Sequence, residues 1–547
     1  MIREDIKKII GKATGVNAEI FSVEVPVNKD FGDYSTNVAM VLKKNPNEVA
    51  EKIKSSLFKK VEVKNGFINF FIADKYFIDN LKNVDDDYGR GREMKNKKIV
   101  IDYTDPNPFK EFHIGHLMSN AIGESISRIF EFHGAKIKRV CFQGDVGIHV
   151  AKAIWGYQNA EFLEKNSELG KWAFAYSFGS KAYEQSEQAK KEIIEINKKI
   201  YDGSDKKINE IYRQGKKLSL EHFDKIYKKL DTKFDDLIFE SQVIDLGKQI
   251  VEKGLKDGIF EKGESGAIIF RGENYGLHTR VFINSDGLPT YEAKDLGLAE
   301  LKYKKYKYDE SVVVTANEQN SHFAVMLCAL DKVNKKLAER TKHISHGMLR
   351  LPEGKMSSRT GKVITGESLI EKVEELVKLK IKDRELSETE RVKISEAVAI
   401  GAIRYSILKQ SIGSDIIYDF DKSISFEGDS GPYLQYSYAR ANSVLEKAKK
   451  EGVKSSFKNI PEEITRLEKA ISYFPEVILQ AQKSLEPHFI TLYLTELAST
   501  FNNYYAHNKI VDKADKFSAY KVALTKAFAT TMKNGLWLLG IKTLEKM

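Results

Sequence analysis

The chain has 547 residues, which is too long for a single hydrophobic core and predicts three or four domains. Its formal charge of +10 favours a polyanionic partner, with nucleic acid first and an anionic membrane second, although a lysine-rich solvated surface would give the same number. The two cysteines, Cys141 and Cys328, exclude a disulfide framework and a cysteine-rich zinc site and suit a reducing cytosol. Residues 1–15 lack the apolar core of a secretory signal, and no apolar run is long enough to span a bilayer, so we expect a cytoplasmic protein without a membrane partner.

Residues 1–88 predict a small α+β domain. Its pattern alternates between helical and strand-like segments, in the order helix 2–10, strand 18–27, a helix containing 37–42, helix 49–57 and an alternating strand 61–72. The acidic run 85–87 and the glycines that follow it are typical of a linker.

Residues 98–103 form an apolar, β-branched run that predicts a buried strand, and after a proline-containing loop His113 opens an amphipathic helix. A loop between a strand and a helix N-terminus is a ready site for phosphate, because unpaired N–H groups and the positive end of the helix dipole point into it. His113 and His116 add donors, and Gly115 between them allows close approach. Lys110 adds a mobile positive charge. Alone, the string is equally a helix start with two exposed histidines.

Strands and helices alternate through residues 95–366, which predicts a doubly wound, Rossmann-type parallel sheet that binds ligands at the carboxyl ends of its strands. Residues 140–143 predict the second strand. The polar, lysine- and glutamate-rich segment 160–237 predicts helices inserted between the two halves of the sheet. The second half is predicted to contain strands 266–270, 280–283 and 311–315, with a helix over 291–303.

A second motif lies in the glycine-flanked loop that contains Lys355, Ser357, Ser358 and Arg359. Cations and hydroxyls on a loop suit the negative charge that develops on leaving phosphates. Alone, this is equally a solvated basic loop, but together with the two histidines it predicts nucleotide chemistry. From residue 368 the chain predicts helices, with a break over 415–432: a connecting region, 367–426, and an all-α domain, 427–547.

The two motifs resemble the HIGH and KMSKS motifs of class I aminoacyl-tRNA synthetases. Over nearly the whole chain, the sequence is similar to the arginyl-tRNA synthetase family. The strings that carry this resemblance are residues 32–37, 66–70, 106–110, 144–147, 240–243, 319–323, 431–436 and 534–541. The resemblance implies a multidomain α/β protein: a Rossmann-type catalytic domain, an N-terminal α+β domain that touches the outer corner of tRNA, and an all-α anticodon-binding domain.

The resemblance implies two reaction steps. The arginine carboxylate attacks the α-phosphorus of ATP and expels pyrophosphate, and the terminal ribose hydroxyl of tRNA(Arg) then takes arginine from the adenylate. Positioning and charge stabilisation do most of the work in such chemistry. The residues expected to bind ATP are His113, Gly115, His116, Gly347, Met348, Lys355, Ser357 and Ser358. Lys110, Lys355 and Arg359 would neutralise the leaving phosphates, with Mg²⁺ bridging them and no zinc expected.

Selecting arginine requires carboxylates, because they pair bidentately with a planar guanidinium. The resemblance assigns this role to Glu240 and Asp295, and Tyr291 lies one helical turn before Asp295 on the same face. Asn107 and Gln319 would hold the other polar groups of the amino acid. A site of this kind rejects lysine strongly, so no editing domain is expected.

The chain departs from the family's pattern at several positions. Ser358 replaces the usual second lysine of the loop motif, which makes Lys110 the expected compensating cation and Arg359 its backup. Lys294 stands where the family often has arginine, and Asp105 stands where serine is common.

The C-terminal domain carries many tyrosines among basic residues. Unstacked anticodon bases are read by aromatic stacking and polar edges, so Tyr436, Arg440 and Tyr504 are expected to contact tRNA(Arg), although most of these tyrosines suit core packing equally well. By analogy with the family, we expect a monomer.

Three alternatives remain open at this point: another class I synthetase, a small HIGH-type nucleotidyltransferase, and a catalytically idle RNA-binding relative. The cysteine count disfavours the zinc-containing synthetases, and the C-terminal helical region disfavours the small nucleotidyltransferase. Exchange of pyrophosphate into ATP separates the remaining alternatives, because an idle binder shows none with any amino acid.

Overall fold

The computed structural model describes residues 1–26, 28–162, 168–351 and 365–547. The N-terminal part contains α1 (Ile2–Thr14), β1 (Val23–Glu24), β2 (Tyr34–Thr36), α2 (Val38–Leu42), α3 (Pro46–Lys52), β3 (Phe58–Lys64), β4 (Phe67–Ile72) and α4 (Asp74–Lys82). Its four strands form one antiparallel sheet in the order β1-β2-β4-β3. The predicted α+β character is therefore confirmed.

Two details of that prediction are wrong. Of the strand expected over residues 18–27, the described residues 18–26 form only the two-residue β1, and Val27 lies outside the described residues. The alternating run 61–72 is a hairpin of β3 and β4 rather than one strand, since Asn65 and Gly66 turn the chain with φ of 52° and 82°. An Asn-Gly pair is the strongest short signal for such a turn.

The middle of the chain carries the sheet that positions the site. Its elements are β5 (Lys98–Asp102), α5 (Ile114–Phe132), β6 (Lys136–Gln143), α6 (Ile148–Asn159), α7 (Glu168–Gln185), α8 (Glu187–Asp202), α9 (Lys206–Lys229), β7 (Asp236–Phe239), α10 (Ile244–Lys256), β8 (Glu261–Lys262), β9 (Ile268–Phe270), β10 (Arg280–Ile283), α11 (Tyr291–Tyr306), β11 (Glu310–Ala316), α12 (Asn320–Val333), α13 (Lys335–Glu339), β12 (Thr341–His346) and β13 (Leu349–Arg350).

Five of these strands form an all-parallel sheet in the order β12-β11-β5-β6-β7. Successive residues of β5 face opposite layers: Ile99 and Ile101 belong to the core on one face, and Val100 belongs to the core on the other. The chain builds outward from β5 first through β6 and then through β11. The crevice between the carboxyl ends of β5 and β11 is therefore a topological switch point, the usual ligand site of such sheets.

The predicted second half of this sheet is partly wrong. Strands β9 and β10 belong to a separate antiparallel sheet with β8, whereas β12 completes the parallel sheet. The predicted insertion is helical, with α7, α8 and α9, but its last residues already form the start of β7. Because β7 pairs with β6, these helices lie between two neighbouring strands and not, as predicted, between the two halves of the sheet.

The remainder is almost entirely helical, as predicted, and its break coincides with a short strand and a one-turn helix. Its elements are α14 (Gly366–Lys380), α15 (Glu388–Leu408), β14 (Ile416–Ile417), α16 (Phe420–Ser423), α17 (Gly431–Glu451), α18 (Arg466–Ser472), α19 (Phe474–Ser484), α20 (His488–His507) and α21 (Ser518–Leu538). No helix within the described ranges is both long and apolar enough to cross a bilayer.

Helix α5 connects the sheet to the C-terminal helices. Most of its residues are buried, and Ser125 donates a hydrogen bond to the Leu538 carbonyl at the end of α21 (2.9 Å). The buried Arg404 of α15 donates to the carbonyl of Leu230, which follows α9 (2.6 Å). Arg404 also donates to Asn120 Oδ1 of α5 (3.3 Å), so these contacts anchor α5 against the C-terminal helices and the end of α9.

Candidate active site

A cavity of about 290 Å³ lies at the β5–β11 switch point, beside the N-terminus of α5. It brings together eight residues that the sequence predicted for the site: Asn107, His113, Gly115, His116, Glu240, Tyr291, Asp295 and Gln319. They come from loops and helices spread over more than two hundred residues of sequence.

The two histidines at the start of α5 form a reciprocal cap. The His113 N–H donates to His116 Nδ1 (3.1 Å), the His116 N–H donates to His113 Nδ1 (3.4 Å), and the ring centroids stack 3.4 Å apart. Because both Nδ1 atoms accept, each neutral ring carries its proton on Nε2. A Cβ on Gly115 would lie 3.0 Å from the His113 ring, so glycine leaves room for the stack.

Both rings are neutral at physiological pH. Desolvation at the cavity wall, with Lys110 and His346 nearby, lowers the pKa of His113 to about 4. Burial, followed by the proximity of His113 and Lys110, lowers the pKa of His116 well below its usual range. The site therefore presents two neutral Nε2–H donors at a helix N-terminus, which suits phosphate oxygens.

The loop before α5 has an uncommon backbone. Thr104, Asp105 and Phe109 have φ of 81°, 45° and 69°, a region that costs about 1–3 kcal/mol for each such residue. The Thr104 N–H donates to Ser119 Oγ (2.9 Å) and the Phe109 N–H donates to Ser219 Oγ (3.0 Å), so tertiary contacts hold this conformation. The second of these ties the loop to the inserted helix α9.

Asn107 and Glu240 approach one another across Gly144. Asn107 Oδ1 accepts from the Gly144 N–H (2.9 Å). A Cβ at position 144 would lie 2.4 Å from that oxygen and 3.1 Å from Glu240 Oε1, so only glycine fits between them. The Asn107 amide group remains available as a donor toward the cavity.

Asp145 fixes the turn that carries Glu240. It is fully buried and accepts from the Ser241 N–H (2.9 Å), the Ser241 hydroxyl (2.7 Å) and Lys216 Nζ (2.7 Å). Burial alone would raise the pKa of Asp145, but Lys216 and Ser241 outweigh it and lower the pKa. This residue links β6, the Glu240 turn and the insertion.

Glu240 forms a buried ion pair with Lys294, whose Nζ lies 2.6 Å from Oε2. Burial raises the pKa of Glu240 although Lys294 opposes the shift, and Glu240 in turn outweighs burial to raise the pKa of Lys294. The Lys294 ammonium lies 5.2 Å from the Tyr291 ring and 5.9 Å from the Tyr201 ring of α8. Lysine at position 294 therefore pairs with one oxygen of a carboxylate expected to bind arginine.

Asp295 is held by His322, a residue that the sequence did not single out for the site. His322 Nε2 lies 2.5 Å from Asp295 Oδ2, and its Nδ1 lies 3.4 Å from Glu292 Oε1. Glu292 also accepts from Arg280 NH1 (3.0 Å). Burial opposes protonation of His322, but the two carboxylates outweigh it and raise its pKa to about 9.

Several predicted site residues lie apart from the cavity lining. The Lys110 ammonium lies over the Tyr176 ring (5.1 Å). The Gly347 N–H donates to the Ile412 carbonyl (3.0 Å), and the Met348 N–H donates to Asp415 Oδ1 (2.8 Å).

The second motif falls outside the described residues, and with it the predicted positions Lys355, Ser357, Ser358 and Arg359. The described chain resumes at Thr365, which forms an isolated antiparallel bridge with His113.

The residues predicted for tRNA contact lie in the C-terminal helices. The Arg440 guanidinium lies between the rings of Tyr436 (4.7 Å) and Tyr505 (5.1 Å) and donates to Asn502 Oδ1 (2.6 Å). Tyr504 is only 8% exposed and belongs to the core, whereas Tyr505 is 41% exposed.

Other charged residues in the cavity wall were also missed, except Asp105, which the sequence marked as a departure from the family's pattern. Lys302 Nζ pairs with Asp102 Oδ2 (2.8 Å) in full burial, and Asp105 accepts from the Phe142 N–H (2.8 Å). Burial, with Asp102 close by, raises the pKa of Asp105 well above its usual range. Helical spacing could have placed Glu292 near the site, because it lies three residues before Asp295 on the same face of the helix.

Family models match the chain in three parts. A model of the class I (R) tRNA synthetase catalytic domain matches residues 79–420, the DALR anticodon-binding domain matches 434–547, and the arginyl tRNA synthetase N-terminal domain matches 1–72.

Whole-chain relatives agree with these models. An arginine–tRNA ligase of Clostridium acetobutylicum is 34% identical, covering 100% of this chain and 99% of that protein, and one of Borreliella burgdorferi is 32% identical over 96% and 94%. In fold, the chain is similar to the Thermus thermophilus arginyl-tRNA synthetase, with a TM-score of 0.81, 22% identity and full coverage of both chains. The Plasmodium falciparum arginyl-tRNA synthetase has a TM-score of 0.79, with 23% identity over 100% and 99%.

Proposed function

The chain belongs to the arginyl-tRNA synthetase family of class I aminoacyl-tRNA ligases, and from this premise we propose that the cavity at the β5–β11 switch point activates L-arginine with ATP. The enzyme is an arginine–tRNA ligase, which forms AMP and diphosphate. One observation carries the assignment of the cavity: neutral donors at a helix N-terminus and buried carboxylates line the same space.

The nucleotide occupies the end formed by α5. The Nε2–H groups of His113 and His116 donate to phosphate oxygens, and Gly115 lets the nucleotide approach the backbone. The Gly347 and Met348 N–H groups are already used, but a carbonyl oxygen has two lone pairs. The adenine amino group therefore donates to one of these two carbonyls.

Cations complete this end. The bridge between Thr365 and His113 supports placing the segment with Lys355, Ser357, Ser358 and Arg359 beside the phosphates. Lys110 leaves the Tyr176 ring to join them. No group of three or more His, Cys, Asp and Glu side chains in the described parts of the chain is arranged to hold a metal ion. Mg²⁺ bound through the phosphate oxygens of the nucleotide would neutralise part of their charge.

Arginine occupies the other end. Asp295 pairs with the guanidinium, and Glu240 uses Oε1, the oxygen that faces away from Lys294. Tyr291 covers the guanidinium, and the Asn107 amide and Gln319 hold the α-amino and carboxylate groups. The carboxylate of arginine is then directed toward the α-phosphorus.

For tRNA(Arg), Tyr436 and Arg440 contact anticodon bases. The exposed Tyr505 takes the stacking role in place of Tyr504, because a ring that is 8% exposed offers no face to a base. The N-terminal domain contacts the outer corner of tRNA. We also propose that the enzyme acts as a monomer in the cytoplasm.

Exchange of labelled pyrophosphate into ATP tests this proposal directly. The exchange is measured with each of the twenty amino acids, with and without total tRNA. We expect exchange with arginine only, and its appearance only in the presence of tRNA would show that activation depends on tRNA. Exchange with another amino acid would contradict the Glu240–Asp295 pocket.

A further inference from the structure

His322 is bound in a way that determines its charge. Both of its ring nitrogens face carboxylate oxygens: Nε2 faces Asp295 at 2.5 Å and Nδ1 faces Glu292 at 3.4 Å. An ionised carboxylate only accepts hydrogen bonds, so a neutral imidazole would set one lone pair against an acceptor. The geometry is satisfied by the imidazolium form, with both nitrogens donating.

At the end of the cavity that contains His322, the positively and negatively charged side chains are equal in number before a substrate binds. The charged groups that face His322 or share its wall are Arg280 from β10, Glu240 after β7, Glu292, Lys294 and Asp295 from α11, and the deeper pair Asp102–Lys302. Asp105 lies in the same wall, and burial with Asp102 close by raises its pKa, which favours its uncharged form. Two further histidines pack nearby. Burial, with His322 and His346 close by, lowers the pKa of His343 to about 4, and burial lowers the pKa of His346, so both are neutral.

A guanidinium that enters this space adds one uncompensated positive charge. Charge in a buried site is costly unless it is paired, and the nearest group that can lose a positive charge is His322. Arg280, Lys294 and Lys302 have higher intrinsic pKa values and each keeps its own carboxylate. The guanidinium also competes with His322 for the oxygens of Asp295.

We propose that His322 is the positioning residue of the arginine pocket and that it releases its proton to solvent when L-arginine binds. In the free enzyme, the imidazolium holds Asp295 in place and neutralises it. In the complex, the guanidinium takes over that charge and draws the Asp295 oxygen away from His322 Nε2, and the neutral imidazole keeps its Nδ1–H for Glu292. This inference rests on the arginine site described under Proposed function. No covalent bond changes, since one proton passes from His322 to water.

The coupling predicts how affinity depends on pH. The free enzyme holds the His322 proton up to a pKa of about 9, whereas the complex loses it at lower pH. Between these two values, arginine affinity rises with pH, by up to about tenfold per unit. Below both values, the affinity no longer depends on this group.

Isothermal titration calorimetry of the full-length enzyme with L-arginine tests the proposal. At pH 7.5, the titration is run in phosphate and in Tris, whose ionisation enthalpies differ. We expect each bound arginine to release about one proton, so the two binding enthalpies should differ by about the difference between the ionisation enthalpies of the two buffers. Saturable binding with the same heat in both buffers would overturn the proposal while leaving the arginine site intact. The absence of saturable binding would overturn both.

Two variants sharpen the measurement. His322→Gln keeps an N–H donor for Asp295 but does not titrate, so its binding heat is expected to be independent of the buffer and its KM for arginine is expected to lose its pH dependence. His488→Gln is the matched control, because His488 also pairs with a carboxylate, Glu486 (2.9 Å), in the C-terminal helices. It should release the proton as the native enzyme does. A His322→Gln variant that still releases a proton would overturn the proposal.

Discussion

The two ends of the cavity use the same side chain in opposite charge states. At the α5 end, His113 and His116 stack on one another near Lys110 and are neutral. At the α11–α12 end, His322 lies between two carboxylates and is charged. Both environments withdraw the ring from water, so burial does not explain the difference.

The neighbouring charges explain it. Lys110 and the helix N-terminus disfavour a further positive charge at the α5 end, while Asp295 and Glu292 outweigh the cost of burial at the other end. The neutral end offers donors to an anion without repelling a metal-bound phosphate. The charged end holds carboxylates ready for a cation. One fold therefore prepares two adjacent sites for ligands of opposite charge.

Asp295→Asn breaks the charged end most severely. The variant removes the carboxylate that pairs with the guanidinium and leaves His322 with a neutral partner. We expect kcat/KM for arginine to fall on the order of 10³-fold, or about 4 kcal/mol, with the KM for ATP little changed. Steady-state pyrophosphate exchange measures both constants. An equally large rise in the KM for ATP would show that the two ends of the cavity are not separate.

Lys294→Met tests the charged end of the cavity by its effect on the free energy of unfolding of the protein. It leaves the Glu240 carboxylate buried without its cation, a change that costs about 3–5 kcal/mol. Urea unfolding followed by circular dichroism should show a lower midpoint with an unchanged m-value. Lys294→Arg is the control, because it keeps the charge and should retain most of the stability. If Lys294→Met unfolds at the same urea concentration as the native protein, the Lys294–Glu240 pair contributes little to the stability of the fold.

His113→Asn tests the neutral end alone. Asparagine is a good N-cap, so its side chain can still accept the His116 N–H, but it lacks the Nε2–H donor. We expect kcat to fall by about 10²-fold, or about 3 kcal/mol, with unchanged thermal stability and an unchanged KM for arginine. A matching loss of thermal stability would instead indicate that His113 acts only as a cap.

The α5 end was predictable from sequence because its parts are local. A strand, a loop and a helix cap follow one another between Lys98 and His116, and the cap itself joins residues three apart. Asp295 was placed beside Tyr291 by helical spacing alone. The segment around Lys355 was recognised as a motif, but it lies outside the described residues.

What the sequence did not reveal depends on packing between distant elements. His322 meets Asp295 only because α11 and α12 pack together, and no periodicity within either helix records that contact. The edge strand β12 (Thr-Lys-His-Ile-Ser-His) is too polar to resemble a buried strand. The strand pattern of β9 and β10 was visible, but a pattern of alternating residues does not specify which sheet a strand joins.

Tyr201→Leu gives the smallest expected effect and asks whether the inserted helices contribute to the charged end. The Tyr201 ring from α8 lies 5.9 Å from the Lys294 ammonium, and at this range a cation–π contact is worth about 0.5–1 kcal/mol. Losing it should loosen the Lys294–Glu240 pair and raise the KM for arginine about two- to fivefold, with kcat unchanged. Tyr183→Leu is the matched control, since Tyr183 of α7 also belongs to the insertion, makes a similar contact with Lys152 of α6 (4.4 Å) and does not line the cavity. If both variants raise the KM for arginine equally, the insertion acts through its overall packing. If only Tyr201→Leu raises it, the insertion contributes a specific side chain to the arginine end of the cavity. The two ends would then differ also in the elements that build them, because the inserted helix α8 would supply a side chain to the charged end.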